Sequence, residues 1–202
     1  MYTLTKEIRD ALTPKKAVQI LKDGNARFVN NLKINRNLFT QVNETSGAQH
    51  PFAFILSCID SRTSAELIFD QGLGDIFSCR IAGNILNEDI VGSMEFACKV
   101  AGAKLIMVLG HSECGAIKGA CAGVEMGSLT GLLNKIKPAI EAVKSNNSGE
   151  DNFIEKVAET NVEQVSKEIL ARSSILRDML NNNEITIVSG IYSVSTGEVN
   201  FY

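Results

Sequence analysis

The stretch Lys104-Leu105-Ile106-Met107-Val108-Leu109-Gly110-His111-Ser112-Glu113-Cys114 decides the fold. Its apolar run is continuous rather than alternating, which suits a central strand covered on both faces, the mark of a parallel sheet. Outward from it, three similar runs stand at 52–57, 75–80 and 184–191, while this one spans 104–110, and each is bounded by Gly, Pro, Asn or charged residues. They read as strands. Helical patterns separate them. Thr13 before Pro14 supplies an N-cap with proline at the first helical position, and Val18, Leu21, Phe28 and Leu32 follow at near-helical spacing. Segments 87–101 and 129–143 also read as helices. Between Asp151 and Leu180 an amphipathic helix carries Phe153, Ile154, Val157, Val162, Val165, Ile169 and Leu170, with a break at Ser173-Ser174 where a new cap can form. The pattern predicts an α/β protein, a mostly parallel central sheet of about four strands flanked by helices, with an N-terminal helical arm. The polar stretch Ser145-Asn146-Asn147-Ser148-Gly149 is too short to separate domains and is expected to join two helices, so residues 1–202 are expected to form a single domain. Asn181-Asn182-Asn183 is expected to turn the last helix into the last strand.

Apolar residues make up 45% of the 202 and charged ones 21%, an ordinary balance for a folded globular chain. A net charge of −3, with pI near 5.5, gives no electrostatic reason to bind nucleic acid or an anionic membrane. The first twelve residues carry Lys6, Glu7, Arg9 and Asp10 without an apolar core, and nowhere do about 18 apolar residues run together. A cytoplasmic protein is expected. Five cysteines, an odd number without compact spacing, suit a reduced compartment, where clustered cysteines more often mean metal or catalysis.

The first strand ends in Cys58-Ile59-Asp60-Ser61-Arg62 and the third in His111-Ser112-Glu113-Cys114. Carboxyl ends of strands in open α/β sheets are where ligands bind, so the two clusters can meet. Two thiolates and an imidazole suit Zn²⁺ and leave a fourth tetrahedral position for water, the mark of a catalytic rather than a structural zinc. Either cysteine alone reads as a buried core thiol, and their joint occurrence with His111 favours metal. Cys79, Cys98 and Cys121 lack such company and are expected in the core. Asp60 and Arg62 alone read as an ion pair at a helix entrance. Beside a zinc that lowers the pKa of its water from about 15.7 to about 7, giving a bound hydroxide, Asp60 can accept that hydroxide's hydrogen bond. Arg62 can hold Asp60 ionised and away from the metal.

At these residues the sequence resembles the β-class carbonic anhydrases over nearly its whole length. Cys58-Ile59-Asp60-Ser61-Arg62 and Gly110-His111-Ser112-Glu113-Cys114-Gly115 are similar to the family's two signatures, and Asp70-Gln71-Gly72-Leu73-Gly74-Asp75, Arg80-Ile81-Ala82-Gly83-Asn84 and Gly190 to Gly197 match in order. The resemblance implies reversible hydration of CO₂ to bicarbonate and a proton, with Zn²⁺ on Cys58, His111 and Cys114 and Asp60–Arg62 as the catalytic dyad. It implies a homo-oligomer, dimer or tetramer, and a substrate pocket of Gln49, Phe77, Ala82, Phe96 and the Gly115 amide. Four positions depart from the commoner pattern. Thr63-Ser64 stands where the family often has Val-Pro, Phe96 where some members have tyrosine, and Ile55 where bicarbonate-regulated members have tryptophan. The expectation is an open site at neutral pH, with Asp60 held by Arg62. His50, beside Gln49, is a candidate proton carrier.

Other readings keep the fold. A carbon disulfide or carbonyl sulfide hydrolase shares these motifs, and a zinc-stabilised, bicarbonate-binding scaffold has no need of Asp60–Arg62. A zinc deaminase needs Pro-Cys-x-x-Cys after His111-Ser112-Glu113, and none follows. A dinucleotide fingerprint fails because Phe77 follows Gly72-Leu73-Gly74 where glycine is required.

Overall fold

The computed structural model describes residues 3–145 and 152–202. The expected linker from Asn146 onward, and Asp151 at the start of the predicted long helix, lie outside the described residues. A helical arm of α1 (Lys6–Asp10), α2 (Pro14–Val29) and α3 (Leu38–Thr45) precedes β1 (Ala53–Ser57), α4 (Ala65–Ile68) and β2 (Ile76–Arg80). A 3₁₀ turn, Ala82–Asn84, leads to α5 (Glu88–Glu95), then β3 (Leu105–His111), α6 (Gly115–Cys121), α7 (Gly127–Leu133) and α8 (Lys137–Ser145). The chain closes with α9 (Phe153–Arg172), α10 (Ser174–Asn181), β4 (Thr186–Tyr192) and β5 (Val199–Phe201).

The sheet order is β2-β1-β3-β4-β5, with the first four strands parallel and β5 antiparallel to β4. All residues of β1 and β3 are buried, as continuous hydrophobicity requires of central strands. Their side chains alternate between two cores. Phe54, Leu56, Ile106 and Val108 pack beneath α5, α9 and α10 against Met94, Val162, Ile169 and Leu176. Ile55, Leu105, Met107 and Leu109 face α2 and α4 through Leu21, Ile68 and Phe69. Each such large side chain, fully buried, contributes roughly 1.5–3 kcal/mol. A third cluster at the carboxyl edge packs Cys58 and Cys114 with Ile117, Leu133, Ile136 and Val157.

The expected caps form: Thr13 Oγ1 accepts from Lys16 N at 3.2 Å, and Ser173 Oγ accepts from Leu176 N at 3.1 Å where the long helix breaks. Four details differ from the sequence reading. A fifth strand is present, and its three residues are too few to show a pattern. The helix expected over 129–143 is two helices joined by the 3₁₀ turn Asn134–Ile136, because Pro138 has no N–H to donate back across that turn. The helix over 87–101 widens at Phe96–Val100 into a π turn, with Ala101 N bonded to Phe96 O at 2.9 Å. Of the three cysteines assigned to the core, only Cys98 is buried, whereas Cys79 and Cys121 are partly exposed.

Candidate metal centre

Because β1 and β3 are parallel neighbours with Ser57 opposite Leu109, the residues that end them emerge side by side. Cys58 follows β1 directly, and His111 is the last residue of β3. Glu113 then takes a left-handed backbone conformation, φ 59°, which turns the chain so that Cys114 becomes the N-cap of α6. The Cys58, His111 and Cys114 donor atoms consequently lie within 4.8 Å of one another, and all three residues are buried. The two sulfurs stand 3.9 Å apart. Sulfurs each about 2.3 Å from a tetrahedral zinc are separated by roughly 3.8 Å.

The imidazole is prepared for a metal. Its Nδ1 lies 2.9 Å from the Ser112 carbonyl oxygen and donates to it, which leaves the Nε2 lone pair free. Nε2 is buried and has no hydrogen-bond partner among the described residues, an orphan that a metal ion satisfies. The thiols are prepared too. The hydrogen bond from Cys114 drives the Cys58 thiol well below its usual range against the effect of burial, with His111 and the Asp60 and Gly83 amides assisting. The same bond, together with burial, drives Cys114 up. A divalent cation bound by both sulfurs displaces the proton they share.

Gly83 donates its N–H to Cys58 Sγ at 3.4 Å, and its carbonyl accepts from Asn161 Nδ2 at 3.1 Å. Its φ of 68° is left-handed, and a Cβ there would stand 2.9 Å from Ile136 Cδ1 and 3.2 Å from Ala116 Cβ, so any side chain at this position is strained. Arg62 grips Asp60 by both oxygens, Nε to Oδ1 at 2.9 Å and Nη2 to Oδ2 at 2.8 Å, with Arg62 N on Oδ1 at 3.0 Å. This fork holds the Asp60 carboxyl well below the usual carboxylate range. The carboxylate stands outside the three-donor cluster.

The remaining predicted residues are dispersed. Gln49 and His50 precede β1, at the opposite end from Cys58, and a strand of this length spans roughly 17 Å. Phe77 on β2 and Phe96 on the π turn meet edge to face, 6.2 Å between centroids, on the wall of a cleft that Cys79, Arg80 and Asp89 also line. Ala82, half-buried, opens the 3₁₀ turn, while Gly115 begins α6 with no atom within 4 Å of where a Cβ would stand. Thr63, Arg80, Ser112, Gly83 and Asn161 were not expected in supporting roles. Thr63, Arg80 and Asn161 bond main-chain carbonyls with their side chains, whereas Ser112 and Gly83 act through their own main-chain atoms; all but Asn161 lie in or beside the quoted motifs.

A family model described as carbonic anhydrase matches residues 53–199. Carbonic anhydrase 2 of Mycobacterium tuberculosis is 32% identical over 91% of this chain and 90% of that protein. A carbonic anhydrase of Mycolicibacterium smegmatis is 33% identical over 92% of each. Among solved structures, the β-carbonic anhydrase CcaA superposes with a TM-score of 0.72 at 28% identity, covering 92% of this chain and 94% of that one. Likeness of this breadth, spanning both strand ends that carry the three donors, establishes that the chain belongs to the β-carbonic anhydrase family.

Proposed function

We propose that this chain hydrates CO₂ reversibly to bicarbonate and a proton, with one zinc ion on Cys58, His111 and Cys114. The observation that carries the reading is the pairing of a three-donor, buried cluster with an acceptor, Asp60, restrained beside it by Arg62. Zinc, when bound, supplies the Lewis acid that lets water lose a proton near neutral pH. Asp60, ionised, accepts a hydrogen bond from the attacking water and so aims its lone pair at CO₂. Arg62 keeps that carboxylate oriented and prevents it from taking the fourth ligand position. The Gly115 amide, in the first turn of α6 beside Cys114, contributes a donor toward the product oxygen.

Gln49, Phe77, Ala82 and Phe96 complete a pocket only if a second copy supplies part of it. The separation of Gln49 from Cys58 supports this, as do the outer edge of β2, which no strand among the described residues pairs, and the exposed apolar residues Leu38, Phe39, Val42 and Phe96. A homodimer, alone or paired into a tetramer, is the assembly proposed. His50 is the proposed proton carrier. Free cysteines throughout suit the cytoplasm, and among the described residues no helix is long and apolar enough to cross a membrane. Stopped-flow CO₂ hydration with zinc measured on the same sample tests the reaction. Rapid hydration at about one zinc per chain, lost in Cys114→Ala, is expected. Full zinc without hydration would overturn it and turn attention to carbon disulfide, carbonyl sulfide or bicarbonate binding alone.

A further inference from the structure

The turn Cys58–Asp60 carries both a metal donor and the carboxylate beside it, so the orientation of two main-chain carbonyls decides where both side chains point. The last ladder bond of this strand, Ile81 N to Ser57 O, ends one residue earlier. Thr63 takes over. Its residue is 1% exposed, and its Oγ1 lies 3.0 Å from the Cys58 carbonyl oxygen and 2.9 Å from that of Asp60. The Thr63 amide also donates to the Asp60 carbonyl, at 3.0 Å. Arg80 reaches the same two oxygens from the end of β2, with Nε on Cys58 O at 3.0 Å and Nη2 on Asp60 O. One buried hydroxyl and one guanidinium thus grip the same pair of carbonyls.

We propose that Thr63, acting with Arg80, is a positioning residue for the metal centre. Its hydroxyl, shared between the Cys58 and Asp60 carbonyls, keeps Sγ of Cys58 in the donor cluster while the Asp60 carboxylate stays on Arg62 and off the metal position. Rotating Asp60 inward, or letting Cys58 withdraw, requires turning these peptide groups away from a partner sealed from water, which leaves a buried hydroxyl unpaired. Partners that orient metal ligands typically change metal affinity or activity by about 10–100-fold. The methyl of Thr63 packs as a valine methyl would, so the hydroxyl alone is what the position adds.

The test compares the zinc-loaded wild type with Thr63→Val, which keeps the shape and drops the hydroxyl, and Thr63→Ser, which keeps the hydroxyl and drops the methyl. Release of zinc to a chromogenic chelator is read first, with kcat and KM for CO₂ beside it. Thr63→Val is expected to release zinc about tenfold faster and to lose kcat with KM little changed, while Thr63→Ser stays near wild type in both. Arg80→Lys, which can hold one carbonyl instead of two, is expected to move zinc release in the same direction. Wild-type release in Thr63→Val and Arg80→Lys, or equal acceleration in Thr63→Ser and Thr63→Val, overturns the proposal. The kcat arm rests on the proposed CO₂ hydration. If zinc-loaded wild type proves inactive, that reaction falls, and the release rates still decide the role of Thr63.

Discussion

Asp60 is held at both oxygens by Arg62, and that fork sets its behaviour with pH. Its folded pKa is lowered, first by the Arg62 hydrogen bonds, from an unfolded value near 3.9. The dyad's contribution to stability is therefore complete above the unfolded value and is lost as pH falls through the lower folded one. Asp60 stays ionised across any neutral assay, so a rise of activity with pH between about 6 and 9 does not report this carboxylate. Asp60→Asn keeps the shape but replaces a charged acceptor with an amide. It is expected to lower kcat by about 10²–10³ with zinc content unchanged, checked by stopped-flow hydration and metal analysis on one preparation. Gly83 makes a different demand, since its left-handed backbone strains any side chain and a Cβ there would push the Ile136 methyl aside from 2.9 Å. Gly83→Ala is expected to cost about 1–2 kcal/mol in urea unfolding, and to weaken zinc retention because the N–H on Cys58 Sγ shifts. Unchanged zinc release would show that this amide does not steady the thiolate.

Among the elements, α10 hangs on one residue. Ser173 Oγ caps the helix at Leu176 N and donates to Glu95 Oε1 at 2.6 Å, tying α10 to α5. Ser173→Ala is expected to cost about 1 kcal/mol, a fall in Tm of roughly 2–4 °C on a calorimetric scan. A cap of this kind is legible beforehand, because serine at a break between apolar periods has one obvious use. The central strands were legible for a similar reason, since burial on both faces leaves an unbroken apolar run. The zinc donors were legible because Cys58, His111 and Cys114 sit where parallel strands end. What escaped reading depends on contacts distant in sequence. β5 is three residues long, and it stays in place through Asn25, whose amide donates to Gly197 O and accepts from Val199 N, both at 2.9 Å. The grip of Thr63 and Arg80 on carbonyls leaves no periodic trace either. The remoteness of Gln49 from Cys58 likewise became visible only with the length of the strand between them.

Across the whole molecule, the helical arm packs on the sheet through Ala17 and Leu21, and one buried carboxylate pins two of its arginines. Asp70 follows α4 in a left-handed turn, φ 46°, with its side chain 2% exposed. Arg27 of α2 meets Oδ2 at 2.5 Å, Ile34 N donates to the same oxygen at 3.2 Å, and Arg36, from the segment before α3, pairs with Oδ1 and the Asp70 carbonyl. Burial alone raises the Asp70 pKa, but the bonds from Arg27 and Arg36 outweigh it and hold the carboxyl below its usual range. By the same sign as for Asp60, this anchor is complete above about pH 4 and fails as pH falls through the lower folded value. Asp70→Asn removes the charge and leaves Arg36, 9% exposed, without its counter-ion. Breaking one partner of a buried pair costs about 3–5 kcal/mol, and here that cost falls on the arm, because both cations belong to it. The arm should therefore detach before the sheet does. Limited trypsinolysis at neutral pH is expected to cut Asp70→Asn after Lys33 or Arg36 at least about tenfold faster than wild type, while zinc stays bound. If α3 with its exposed Leu38, Phe39 and Val42 forms the contact between copies, the same variant shifts toward monomer in sedimentation. Wild-type cleavage rates with an intact oligomer would show that the arm is held by its apolar packing and not by Asp70.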